Sequence, residues 1–82
     1  MDRALVDQPA QGERRAGRVS AFDDDRGLGT VLGDDGVELG FHCTAIADGT
    51  RTIDVGVPVS YVTRPRHLGR WEATDIRVEP QA

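Results

Sequence analysis

Apolar residues in this chain come in short runs, and Gly, Asp or Pro interrupts them every few positions. Runs of this length with turn residues between them predict strands rather than helices. Five strands are expected, at about residues 14–22, 28–32, 37–43, 58–64 and 70–78. The fourth contains Val59-Ser60-Tyr61-Val62-Thr63, rich in residues that suit a pleated surface. Asp23-Asp24-Asp25 makes the first loop. Gly33-Asp34-Asp35-Gly36 makes a tight hairpin turn, because Asp and Gly tolerate left-handed backbone angles. Thr44-Ala45-Ile46-Ala47 predicts one short helical turn, with Thr44 available to cap it. Asp48-Gly49-Thr50-Arg51-Thr52 and Pro65-Arg66-His67-Leu68-Gly69 are loops, and no long amphipathic helix follows residue 48. The fold class is all-β: a five-stranded antiparallel Greek-key barrel of the OB type, which removes exposed sheet edges by closing on itself.

Eighty-two residues make one small domain. A chain of this size buries about 60–65% of its unfolded surface, so the core is modest and stability marginal. Residues 1–12 are polar and aperiodic and read as a disordered tail; 13–79 form the barrel and 80–82 a short end. No apolar run approaches the ~20 residues that span a bilayer. The first eleven residues carry two acids and no apolar block, unlike a signal peptide. The single cysteine, Cys43, excludes a disulfide framework and reads as a small half-buried strand residue. A cytoplasmic location is the expectation.

Charge shifts the functional reading. Every basic residue is Arg, and fourteen acids against ten Arg give a net charge of −4. A dedicated nucleic-acid binder is expected to be basic or to carry a basic stripe, and this chain is not basic overall. Its acids sit at turns, no nucleophile has a recognisable setting, and no metal-ligand spacing occurs. His42 and Cys43 are adjacent, so a strand would point them to opposite sides, a poor metal pair unless the strand ends between them. The chain is read as non-enzymatic, without cofactor, metal or catalytic residues.

Four pieces in order and spacing resemble the bacterial cold-shock domain. Arg26-Gly27-Leu28-Gly29-Thr30-Val31 and, after the acidic turn, Leu39-Gly40-Phe41-His42-Cys43-Thr44-Ala45-Ile46 are similar to its paired nucleic-acid-binding motifs. Gly17-Arg18-Val19-Ser20-Ala21-Phe22-Asp23 resembles its first strand, and residues 69–76 its last. The resemblance covers roughly residues 14–78. It implies binding of single-stranded RNA or DNA on the outer face of the second and third strands, where aromatic rings stack on bases. It implies core positions at Val19, Val31, Leu39, Phe41 and Ile46, and outward positions at Ala21, Leu28, Thr30, Gly40, His42 and Cys43. The family carries aromatics at five of those six; here His42 is kept and the rings are gone. Phe22 and the basic Arg26 are retained, while Ser20 and Asp23 stand where the family has lysine and asparagine. At ~1–3 kcal/mol per stacked ring, most of the platform's affinity is lost. The three acids at 23–25 also repel phosphate.

Gly27 and Gly29 read first as structural, for close backbone approach or curvature. Arg64, Arg66, His67 and Arg70 with Trp71 form a basic and aromatic patch around the last turn, and Arg14, Arg15 and Arg18 a weaker basic group. The nucleic-acid-binding residues are therefore expected to be Phe22, Arg26, Leu28, Thr30, His42, Arg64, Arg66, Arg70 and Trp71. The expected function is weak, sequence-tolerant binding of single-stranded RNA or DNA, with an RNA-chaperone or regulatory role. The alternative is a protein-interaction module on the same fold, with a protein partner or a homodimer formed through the ring-poor face. No membrane partner is expected.

Overall fold

A computed structural model describes residues 14–66 and 69–79. The expectations for residues 1–12 and 80–82, and for His67, lie outside the described residues. Five strands, β1 (Arg14–Asp23), β2 (Leu28–Gly33), β3 (Glu38–His42), β4 (Pro58–Pro65) and β5 (Trp71–Val78), close into a barrel in the order β1-β2-β3-β5-β4. β1 has ten residues and serves two neighbours. Its first half pairs with β4, from Arg14↔Val62 to Arg18↔Pro58, and its second half with β2, down to Asp23↔Leu28.

The barrel is not antiparallel throughout, which corrects the sequence expectation. β3 meets β5 in parallel at Gly40↔Glu72, and a parallel bridge at Ile46↔Ile76 continues the seam. The physical reason is the path of the chain: after β3 it crosses the barrel through residues 43–57 before β4, so β5 returns alongside β3 in the same direction. Loop residues join the sheet along this crossing. The Val19 N–H donates to the Val57 carbonyl and the Gly56 N–H to the Val19 carbonyl. Ile53 and Val57 pack against the core.

That core is Val19, Val31, Leu39, Phe41, Ile46, Val59, Tyr61, Ala73 and Ile76. Val19, Val31, Leu39 and Phe41 follow from alternation on strands with one wet face. In β1 strict alternation fails. A register shift between Val19 and Ala21 inserts Ser20 as a bulge, so that Val19 and Phe22 face the core while Ser20 and Ala21 face out. Phe22 lies in register with Gly29, and Gly29 with Phe41. The rings of Phe22 and Phe41 are stacked, with centroids 6.0 Å apart and planes 10° from parallel. Gly29 is bare because the Phe41 ring fills its place: a Cβ there would stand 2.5 Å from Cζ of Phe41 and 2.7 Å from the Ala21 carbonyl oxygen. The structural reading of Gly29 is thereby explained.

Candidate nucleic-acid interface

The outer face of β1–β3 is built by the positions that alternation leaves outside. Ala21 stands opposite Thr30, and Thr30 opposite Gly40. Asp23 stands opposite Leu28, and Leu28 opposite His42. Leu28 and Leu32 are exposed. At Gly40, the centre of the face, a Cβ would find only the Gly29 carbonyl oxygen, 3.8 Å away. The middle of the sheet is therefore bare backbone open to solvent.

A chain of polar contacts runs beside this opening. The Ser20 hydroxyl donates to Oε2 of Glu38 at 2.8 Å and lies 2.6 Å from the Thr30 hydroxyl. Neither Ser20 nor Glu38 was among the expected site residues. The substitution of lysine by Ser20 was visible in the sequence, but its meeting with Thr30 and Glu38 depends on the bulge.

His42 ends β3 and caps the 3-10 turn over Cys43–Ala45. Its Nδ1 accepts the Thr44 N–H at 3.2 Å and lies 3.0 Å from the Thr44 hydroxyl. The cap of this turn is thus His42, not Thr44. Because Nδ1 accepts, the neutral ring carries its proton on Nε2. Cys43 belongs to the turn rather than to β3, and it is half-buried against the core. Its Sγ would lie 2.8 Å from a Cβ at Gly27, whose φ of +67° also favours glycine.

Arg26 is exposed, with its Nε 3.8 Å from the Asp23 carboxylate. The acidic run builds the turn before it: Asp23 Oδ1 accepts the N–H groups of Asp25 and Arg26, and Asp24 Oδ1 accepts the Thr52 hydroxyl. Phe22 lies on the core side of the sheet, half-buried. With Leu28 and Thr30 it lines a shallow hollow of ≈ 260 Å³ at the end of the β1–β2 hairpin.

The patch at the last turn comes apart into roles. Glu72 collects two of its cations, accepting from Arg64 Nε at 2.6 Å and standing 3.5 Å from Arg66 Nε. Glu72 is also the partner of Gly40, so Arg64 is carried to the border of the β2–β3 face. There His42, Thr44, Arg64, Glu72 and Thr74 line a groove of ≈ 300 Å³. His42 and Arg64, far apart in sequence, meet in it. Arg70 is exposed, and its carbonyl accepts the Arg66 N–H. Trp71 is half-buried against the core, as a residue patching the barrel's side would be. In the Arg14, Arg15 and Arg18 group, two cations are paired with acids: Arg14 with Asp75, and also with Ser60, and Arg15 with Asp35, while Arg18 is exposed and donates to the Gly56 carbonyl.

Among the described residues, no group of three or more His, Cys, Asp or Glu is placed to hold a metal ion, and no helix is long and apolar enough to cross a membrane. A closed five-stranded barrel with one open face bordered by His42 and Arg64 places the chain in the class of small OB-type β-barrels. Comparison narrows the class. Cold shock protein 2 of Lactiplantibacillus plantarum is 41% identical over 46 residues, which cover 55% of this chain and 70% of that protein. The chain belongs to the cold-shock protein family. The solved Drosophila Unr CSD456 structure superposes on 84% of the chain with a TM-score of 0.70 at 24% identity, and this chain spans 28% of that longer one. No family model matches.

Proposed function

We propose that this barrel binds single-stranded RNA or DNA weakly and with little sequence preference overall, in a cytoplasmic RNA-chaperone or regulatory role. The observation that carries the reading is the convergence of His42 and Arg64 on one groove at the border of the open β2–β3 face. A strand laid across that face would meet Leu28 and Thr30 first, then bare backbone at Gly40. Its phosphates would reach the Nε2–H of His42 and the guanidinium groups of Arg64 and Arg66. Arg26 and Arg70 add exposed positive charge at the two ends. With the rings gone, phosphate attraction dominates, and Asp23–Asp25 opposes it.

Affinity is therefore expected in the tens of micromolar, near the non-specific range of ~10⁻⁴–10⁻⁶ M. Titration of a labelled oligopyrimidine at two salt concentrations tests this; nanomolar affinity would refute the weakness argued from the missing rings. One observation favours the second reading, a protein-interaction module: Leu28 and Leu32 are 46% and 45% exposed on the same face. Absence of any oligonucleotide binding, together with a dimer in solution, would decide for that reading.

A further inference from the structure

The hydroxyl chain on the open face has a fixed direction. A carboxylate oxygen only accepts, so the 2.8 Å contact between Ser20 Oγ and Glu38 Oε2 uses the single proton of Ser20. The 2.6 Å contact between Ser20 and Thr30 then requires the proton of Thr30. Protons run from Thr30 to Ser20 to Glu38, and neither hydroxyl keeps one to offer. What remains beside the opening at Gly40 are lone pairs, on Thr30 Oγ1 and on the Glu38 carboxylate. Glu38 and Gly40 are two residues apart on β3 and so share the outer side, and Thr30 pairs directly with Gly40. Among the described residues, the open space at Gly40 thus has acceptors along its Glu38–Thr30 rim, and the donors His42 and Arg64 stand on the far side.

We infer that this rim selects guanine among the bases, through its two adjacent donors. The inference rests on the nucleic-acid-binding reading and specifies one base position within it. Guanine presents N1–H and the N2 amine side by side, which match a carboxylate with lone pairs to spare. Adenine and cytosine each pair one amine with a neighbouring ring acceptor, and that acceptor would face the Glu38 and Thr30 oxygens. Uracil and thymine flank one N–H with two carbonyls, the least suited pattern. A ring at position 40 would close the opening, so the absence of a side chain there and the acceptor rim work together. Sequence tolerance elsewhere on the strand is unaffected, because the rim contacts a single base.

The test uses short labelled oligothymidylates that carry one central guanosine, inosine or thymidine. Inosine keeps N1–H and lacks the N2 amine. The wild-type chain should bind the guanosine strand roughly ten-fold more tightly than the thymidine strand, the scale of a good bidentate pair, with inosine between them. Glu38→Gln should abolish the difference, and because it removes a negative charge beside the face it should tighten binding of all three strands together. Glu38 is exposed on a strand, so the variant keeps the fold, and a thermal melt checks this. Ser20→Ala keeps the carboxylate but frees the Thr30 proton to point outward, and should reduce the guanosine preference. Equal binding of the three strands, or a guanosine preference that survives in Glu38→Gln, overturns the inference while leaving weak binding in place. Failure of every strand to bind overturns the binding reading and the inference with it.

Discussion

His42 Nδ1 accepts the backbone N–H of Thr44, so one side chain both caps the turn after β3 and lines the groove shared with Arg64. The two roles can be separated. His42→Ala removes both the cap and the Nε2 donor. His42→Asn keeps a side-chain acceptor for the Thr44 N–H and loses the ring. The alanine variant should be less stable by about 1 kcal/mol and the asparagine variant close to wild type. Both should bind oligonucleotides more weakly. Equal stability of the two in urea denaturation would show that the cap contributes nothing.

Rings can be returned to the open face. Leu28 is already exposed, and a Cβ at Gly40 meets nothing closer than 3.8 Å. Leu28→Phe with Gly40→Phe should therefore restore stacking without disturbing the core. Stability should hold or rise, since aromatics suit a strand better than glycine does. Binding should improve by ~1–3 kcal/mol per ring. If the face instead contacts protein, nucleic-acid affinity stays flat and the oligomeric state changes. Titration and sedimentation of the double variant read both outcomes.

Glu72 restrains the cations that the groove offers. Arg64→Ala should weaken binding to all sequences alike and lower the salt slope by about one, as loss of one phosphate contact does. Glu72→Gln should do the opposite, because Arg64 and Arg66 lose their shared counter-charge. Arg18→Ala should leave the salt dependence nearly unchanged, since Arg18 does not line the groove that holds His42 and Arg64. A lower slope in Arg18→Ala would place the strand elsewhere on the barrel.

Burial raises the Tyr61 phenol above its ordinary value of 10.0; Asp35 and Asp34 reinforce the shift and Arg15 opposes it. The folded state thus holds the proton longer than the unfolded chain does. Stability from this group is complete below about pH 10 and falls as pH rises from there through the higher folded value. The chain has no lysine and one tyrosine, and comparison with Tyr61→Phe isolates the contribution of the phenol. Urea midpoints between about pH 8 and 11 should decline in the wild type and decline less in Tyr61→Phe. Parallel declines would remove Tyr61 as the cause.

Alternation and turn residues determined most of the barrel by themselves. Val31, Leu39 and Phe41 alternate with Thr30, Gly40 and His42, and on a strand pair with one wet face that pattern fixes which side is core. The hairpin at 33–36 and the five strands are local facts of sequence, and the loss of rings at 28, 30 and 40 is legible only through the family resemblance. Tertiary structure alone decided the rest. Ser20, Thr30 and Glu38 meet because a bulge after Val19 breaks the period of two, and a bulge is an agreement between two strands rather than a property of either. The same bulge sends Phe22 inward onto Phe41. Glu72 stands beside Gly40 because the barrel closes in parallel there, bringing Arg64 to His42 across a long stretch of chain. Periodicity reports which side of a strand a residue faces. Which residue of another strand it faces there is set by register and closure, and those depend on the whole barrel packing at once.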